Sequence, residues 1–306
     1  MKRLPQKICL FLCLILICVT GANAATTLIP GGQVIGLTLQ DGTLTVVRVE
    51  NESSPLKTGD KLVSLDGAAL TTVADVKENL KDCPQTLCVN RNGKKLHLQT
   101  TGGKLGVYLR QGTSGLGTVT YYDPQTGAFG ALGHGVCKQD GALTPMEAGD
   151  VYTASVYAVK PGKAGAPGQL LGTVTSETAI GTVEKNTRQG IFGKTAPIAA
   201  EPLPVAEKSE IQTGTATIYS TVKGNTLQEY SVEILKIYPT GTDTRNMLLK
   251  ITDPDLLSAT CGIVQGMSGS PIIQDGKLVG AVTHVLVNDP TTGYGIFIEN
   301  MLDAAA

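Results

Sequence analysis

The sequence lacks tryptophan and is poor in charged and aromatic side chains. Of its 306 residues, 4% are aromatic and 17% are charged, and 25 Lys and Arg nearly balance 26 Asp and Glu. No basic run or basic-aromatic stripe occurs, which argues against nucleic acid as the main partner. The 42% of apolar residues and the 37 glycines indicate a folded, turn-rich protein. Its length suits roughly two domains.

The N-terminal segment 1–24 has the pattern of a secretory signal peptide. Basic residues at positions 2, 3 and 7 precede an apolar run from Ile8 to Val19, and Ala22-Asn23-Ala24 forms an A-x-A cleavage site. The run is shorter than the roughly 20 residues that a membrane-spanning helix needs. We therefore predict export, with a mature chain that begins near Ala25. A retained N-terminal anchor is the alternative.

Cysteine is scarce in the chain that would remain after cleavage. An exported compartment permits disulfides, and Cys83 with Cys88 is the nearest local pair; buried free thiols are the alternative. Zinc would need Cys137 and Cys261 together with His134 and His284, whose spacing fits no standard ligand pattern. We expect no metal and no other cofactor.

Residues 28–100 predict a small α+β domain. Gly59–Gly67 has the pattern of a strand between two turns, Thr72–Asp75 that of a helix capping box, and Asn92-Gly93 that of a hairpin turn. This order resembles the PDZ domains attached to proteases. The resemblance implies a loop whose backbone N–H groups bind a peptide carboxylate, for which Ile35, Gly36 and Leu37 are the candidates. Alternatively, Gly36 bends a strand.

From residue 104 to residue 306 the pattern is almost entirely β. Short apolar runs are separated by turn signals such as Asp123-Pro124, Pro161-Gly162 and Asp275-Gly276. Many short strands without intervening helices indicate a barrel or a sandwich. A linker to the first domain is expected near 101–103.

The segment Gly266–Pro271 has the G-x-S-G-x-P form found around the nucleophile of chymotrypsin-like enzymes. A serine hydroxyl needs a base to remove its proton and donors to stabilise the oxyanion. Ser268 is thus the candidate nucleophile, and the backbone N–H groups of Gly266 and Ser268 are the candidate oxyanion hole. A glycine-rich turn with an unreactive serine is the alternative.

Three histidines occur, and His97 lies in the predicted hairpin. His134, between small residues in Gly130–Gly135, is the favoured base. His284 follows the strand after the serine and fits a structural position or the substrate cleft equally well.

The carboxylate that would orient the imidazole is not settled by spacing. Asp253 lies ahead of the serine in the order His, Asp, Ser, but four other carboxylates are rivals on chemical grounds. The rivals are Asp123, Asp150, Asp243 and Asp255.

The runs Gly262–Val285, Asn288–Thr291 and Gly293–Ile296, with Ala131–Gly135, closely resemble the stage IV sporulation protein B peptidases of endospore-forming bacteria. The resemblance implies His134, Asp253 and Ser268 as the catalytic triad. It also implies a mainly β fold, in which a chymotrypsin-like double β-barrel peptidase domain (104–306) follows a small PDZ-like α+β domain (28–100).

The resemblance further implies a role in sporulation. An exported serine endopeptidase would cleave the extracytoplasmic segment of a membrane regulatory protein, which would activate intramembrane processing of a sigma factor precursor. Self-cleavage, and contacts of the PDZ-like domain with the target or with another copy, are also implied. The competing hypothesis is a catalytically inactive binding protein, in which the PDZ-like domain captures a peptide tail at the membrane surface and the barrel is a scaffold.

Overall fold

The computed structural model describes residues 26–306 except 101, 139, 197 and 242. The predicted signal peptide lies outside the described residues. None of the helices within the described ranges is long and apolar enough to cross a membrane.

Strands dominate the described residues. In chain order they are β1 Thr27–Pro30, β2 Val34–Val49, β3 Lys61–Leu65, β4 Ala68–Ala69, β5 Thr86–Arg91, β6 Lys94–Gln99, β7 Val107–Tyr122, β8 Ala128–Ala131, β9 Ala148–Lys160, β10 Gln169–Val174, β11 Gly181–Thr187, β12 Gly190–Thr195, β13 Leu203–Pro204, β14 Gly214–Lys223, β15 Thr226–Ile237, β16 Met247–Ile251, β17 Pro271–Gln274, β18 Lys277–Leu286 and β19 Asp289–Phe297. The helices are α1 Val73–Asn79, α2 Pro254–Thr260 and α3 Ile298–Ala305, with a 3₁₀ turn at Lys208–Glu210.

Six strands close the first barrel. The order β7-β8-β12-β11-β9-β2 returns to its start because β2 pairs with β7 as well as with β9. Ile35, Leu37, Val119, Phe129 and Ile191 are buried in its core. Closure leaves no free edge between these strands and gives the site a rigid wall.

The second barrel contains the strands β14-β15-β16-β19-β18-β17. Its core is larger and includes Ile218, Val232, Leu249, Ile272 and Phe297, each at most 1% exposed. Two antiparallel barrels in sequence are the arrangement predicted for the peptidase domain, and the predicted mainly β, double-barrel fold of that domain is confirmed.

The small α+β unit is inserted into the first barrel. Its own core is formed by the second half of β2, by β3, β5 and α1, and by the first half of β7, between Leu44 and Leu109. The capping box at Thr72 and the hairpin at Asn92-Gly93 form as predicted. Residues 27–39 pair with β7, β9 and β13 instead, so the unit begins near Leu44 and not at residue 28. Its PDZ-like character stays a prediction.

Ile35, Gly36 and Leu37 do not form a loop. They lie inside β2, opposite Gly115–Gly117 of β7 on one side and Val151–Thr153 of β9 on the other. The prediction of a carboxylate-binding loop here was wrong, because a strand paired on both sides has its N–H groups engaged in the sheet. Gly36 has a strand role, which was the alternative interpretation.

The four described cysteines are free thiols. Cys88 is buried in β5, whereas Cys83 is exposed in the preceding loop. The suggested pairing of these two residues is therefore not formed.

Candidate active site

The turn that carries Ser268 requires glycine at two positions. Gly266 and Gly269 have φ values of 100° and 99°, a region that side chains disfavour. A Cβ on Gly269 would lie 2.1 Å from the carbonyl oxygen of Thr118 and 2.5 Å from the N atom of Leu132. Neither neighbour is a flexible side chain, so the turn packs directly against the first barrel.

Two buried threonines of β7 attach this turn to the first barrel. The Thr118 hydroxyl donates to the carbonyl oxygen of Gly266 at 2.7 Å, and the Thr118 N–H donates to that of Ser268 at 3.2 Å. The Thr120 hydroxyl donates to the carbonyl oxygen of Gly269 at 2.8 Å. Sequence reasoning missed this pair. The available signal was their spacing of two, which puts both side chains on one face of a strand.

The segment that carries His134 follows β8 through a strained turn. Leu132 and Gly133 have φ values of 69° and 67°, and a leucine in this region costs about 1 kcal/mol or more. A Cβ on Gly135 would lie 2.3 Å from the carbonyl oxygen of Thr187. Glycine is therefore needed on both sides of His134 for the backbone to follow this path.

The carbonyl oxygen of Gly135 fixes the tautomer of His134. It lies 3.0 Å from Nδ1, and a carbonyl oxygen can only accept, so Nδ1 carries the proton. The lone pair is then on Nε2. Burial lowers the pKa of His134 below its usual value, and the bond to Gly135 opposes this shift. The ring is neutral at neutral pH and can accept a proton.

Ser268 and His134 line the same cavity, whose volume is about 450 Å³. In this structure the Ser268 hydroxyl donates to the carbonyl oxygen of Thr283 at 2.7 Å. The hydroxyl proton is therefore engaged by a backbone carbonyl oxygen, and this bond has to break before the hydroxyl can donate to an imidazole.

His284 enters the same cavity from β18. Its ring centroid is 5.1 Å from that of His134, with an angle of 38° between the ring planes. Burial, the neighbouring His134 and Arg245 together lower the pKa of His284 to about 4, while Asp243 acts in the opposite direction. Its buried Nδ1 has no hydrogen-bond partner among the described residues. A second neutral imidazole thus stands beside the candidate base.

Asp253 caps helix α2. One carboxylate oxygen accepts the N–H groups of Asp255 and Leu256, both at 3.0 Å, and the other accepts that of Ser231 at 3.2 Å. No hydrogen bond joins Asp253 to His134 in the described part of the chain. Its predicted role in the triad therefore stays a prediction. Of the five candidate carboxylates, Asp243 is the one whose charge acts on an imidazole of the cavity, that of His284.

The predicted oxyanion donors, Gly266 and Ser268, both line the cavity. Within the described ranges, neither backbone N–H has a hydrogen-bond partner. Unpaired N–H groups beside a serine hydroxyl can accept a developing negative charge without first breaking a bond. The prediction that these two groups form an oxyanion hole is compatible with this geometry and stays a prediction.

No curated protein matches the chain. Among solved structures, the active form of the Rv3671c protease from M. tuberculosis aligns over 62% of this chain and 72% of that chain, with 14% identity and a TM-score of 0.40. The inactive form aligns over 61% and 81%, with 14% identity and a TM-score of 0.38.

A family model described as SpoIVB peptidase S55 matches residues 101–302, which include both barrel segments that carry the candidate nucleophile and base. The chain therefore belongs to the SpoIVB peptidase S55 family and is a serine peptidase.

Proposed function

We propose that this peptidase is an exported endopeptidase with Ser268 as nucleophile and His134 as general base. The observation that supports this most is that both side chains line one cavity. The bond from Nδ1 of His134 to the Gly135 carbonyl oxygen adds support, because it leaves Nε2 free to take a proton.

The reaction begins when the Ser268 hydroxyl leaves the Thr283 carbonyl oxygen and turns to His134. As Oγ attacks the scissile carbonyl, Nε2 takes the hydroxyl proton and later gives it to the leaving amine; water then hydrolyses the acyl-enzyme by the same route. The N–H groups of Gly266 and Ser268 stabilise the oxyanion. No part of this sequence requires a cofactor.

An endopeptidase must let its substrate pass the site on both sides. A second depression of about 450 Å³ adjoins the cavity and shares Leu116 with it. Strand β10 forms one wall, and residues 36–38 of β2 form another. An extended polypeptide can therefore continue past Ser268, which supports internal cleavage.

The proposed substrate is the extracytoplasmic segment of a membrane regulatory protein whose cleavage activates intramembrane processing of a sigma factor precursor during sporulation. Family membership and the leader pattern of residues 1–24 support this role. Self-cleavage near the N-terminus, self-association through the small unit and action close to a membrane belong to the same proposal.

An inactive binding protein is the second candidate. The observation in its favour is that Ser268 donates to Thr283 and not to His134. In that case the serine would be an ordinary turn residue.

A fluorophosphonate probe separates the two functions, because it reacts with activated serines only. We expect rapid labelling of the purified chain at Ser268, and loss of labelling in Ser268→Ala and His134→Ala. Ser270→Ala is the matched control: this buried serine of the same turn donates to Ser220 and should be dispensable for labelling. Labelling that survives His134→Ala would exclude His134 as the base, and an unlabelled native chain would favour the binding protein.

Two substitutions at Asp253 distinguish a helix cap from a catalytic carboxylate. Asn caps helices as well as Asp does, whereas Ala costs about 0.5–2 kcal/mol of stability. The predicted triad role leads us to expect that Asp253→Asn stays folded but is labelled about 10⁴-fold more slowly. Asp253→Ala should in addition have a lower unfolding temperature, because it loses the cap. Near-native labelling of Asp253→Asn would show that Asp253 is a helix cap only.

The pH dependence of labelling tests the environment of His134. Burial lowers its pKa below 6.5, and only the neutral ring can take the serine proton. The second-order rate constant should therefore stay high below pH 6.5 and fall only as the pH drops through the lowered pKa. A midpoint above pH 6.5 would reveal an anionic partner that stabilises the imidazolium.

A further inference from the structure

The catalytic cavity extends beyond the reacting groups. At about 450 Å³ it falls within the range of roughly 300–1,000 Å³ that is typical of binding pockets. The attacked carbonyl must lie beside Ser268, so the side chain of the same substrate residue is within reach of this space. The chemistry of the walls then decides which side chains react.

The walls are aliphatic. Apart from the catalytic groups and a few small or polar residues, the lining consists of branched apolar side chains and one proline, which come from both barrels. These residues are Leu116, Leu132, Val136, Pro167, Ile263, Val264 and Val285.

Two of these side chains, Val285 and Ile263, lie near the same glycine. Val285 of β18 lies opposite Gly293 of β19, and a Cβ on Gly293 would lie 2.6 Å from Cδ1 of Ile263. Ile263 is 2% exposed and belongs to the core of the second barrel, whereas Val285 is half-buried. Ile263 is thus held in place by the core, whereas Val285 is accessible to a substrate side chain in the cavity.

The lining contains no Asp, Glu, Lys or Arg side chain. Both imidazoles are neutral at neutral pH. Asp243 and Arg245 act on His284 with opposite sign and do not line the cavity. A charged substrate side chain that entered would lose its hydration and gain no counter-charge.

We propose that this cavity is the primary specificity pocket, that it takes an uncharged apolar side chain at the residue whose carbonyl is attacked, and that Val285 sets this preference. The inference rests on the proposed role of Ser268 as nucleophile. The substrate class is therefore an extended peptide with an aliphatic or aromatic residue immediately before the scissile bond.

Peptidyl diphenyl phosphonates that differ only in that residue test the proposal. Reagents with leucine, lysine and glutamate side chains are compared by their inactivation rate constants, with the adduct located at Ser268 by mass spectrometry. We expect the leucine reagent to react at least about 100-fold faster than the charged ones. In Val285→Asp the ratio of lysine to leucine rates should rise by about 100-fold, because the new carboxylate supplies a counter-charge.

Two variants serve as controls. Val285→Asn makes the wall polar without charge and should slow the leucine reagent without accelerating the lysine reagent. Val287→Asp adds the same charge two residues away, at a side chain that is 50% exposed and outside the cavity, and should keep the native ratio.

Equal rates for leucine and lysine in the native chain would overturn the proposal. If Val285→Asp is still labelled by the fluorophosphonate but keeps the native ratio of lysine to leucine rates, Val285 does not set the preference for an apolar side chain. If neither the phosphonates nor the fluorophosphonate label native Ser268, the proposed function itself fails, and the inference fails with it.

Discussion

The geometry of the candidate site depends on the hydrogen bonds that join the turn around Ser268, in the second barrel, to strand β7 of the first barrel. Thr118 and Thr120 of β7 donate hydrogen bonds to three carbonyl oxygens of the turn, those of Gly266, Ser268 and Gly269. Because Gly269 packs directly on the backbone at Thr118 and Leu132, the turn cannot shift without moving the segment that leads to His134. The nucleophile and the base are thereby fixed relative to each other although they come from different barrels.

The electrostatics of the cavity follow from this burial. His134 is kept neutral by desolvation and oriented by a backbone carbonyl oxygen, and His284 beside it is neutral for the same reason. A base of this kind is available at low pH, but it must form its imidazolium without a carboxylate in hydrogen-bond contact within the described residues. A backbone carbonyl oxygen offers less stabilisation to a cation than a charged group. The same absence of charge makes the cavity suitable for an apolar substrate side chain.

Local patterns predicted local structure well. The capping box at Thr72 and the Asn92-Gly93 turn depend on neighbouring residues, and they form as the sequence indicates. The motif around Ser268 likewise carries its own backbone requirements, since its glycines are needed where φ is positive.

The sequence does not reveal which distant strands pair with each other, and this limited the prediction of the remaining features of the fold. Residues 35–37 carry no sequence signal for the fact that both β7 and β9 pair with them, so a strand that closes a barrel was mistaken for a loop. The position of the small unit inside β2 and β7 depends on the same pairing. The capping role of Asp253 is predictable from the sequence, because an Asp directly before a Pro commonly starts a helix, whereas its catalytic role stays a prediction.

A crystal structure of Ser268 bound to a phosphonate tests the account most directly. We predict that Oγ has left the carbonyl oxygen of Thr283, that Nε2 of His134 lies within hydrogen-bond distance of the adduct, and that the N–H groups of Gly266 and Ser268 bind its anionic oxygen. The leucine side chain of the reagent should lie against Val285. An adduct in which His134 remains apart from the phosphonate while another group contacts it would contradict the assignment of His134 as the base.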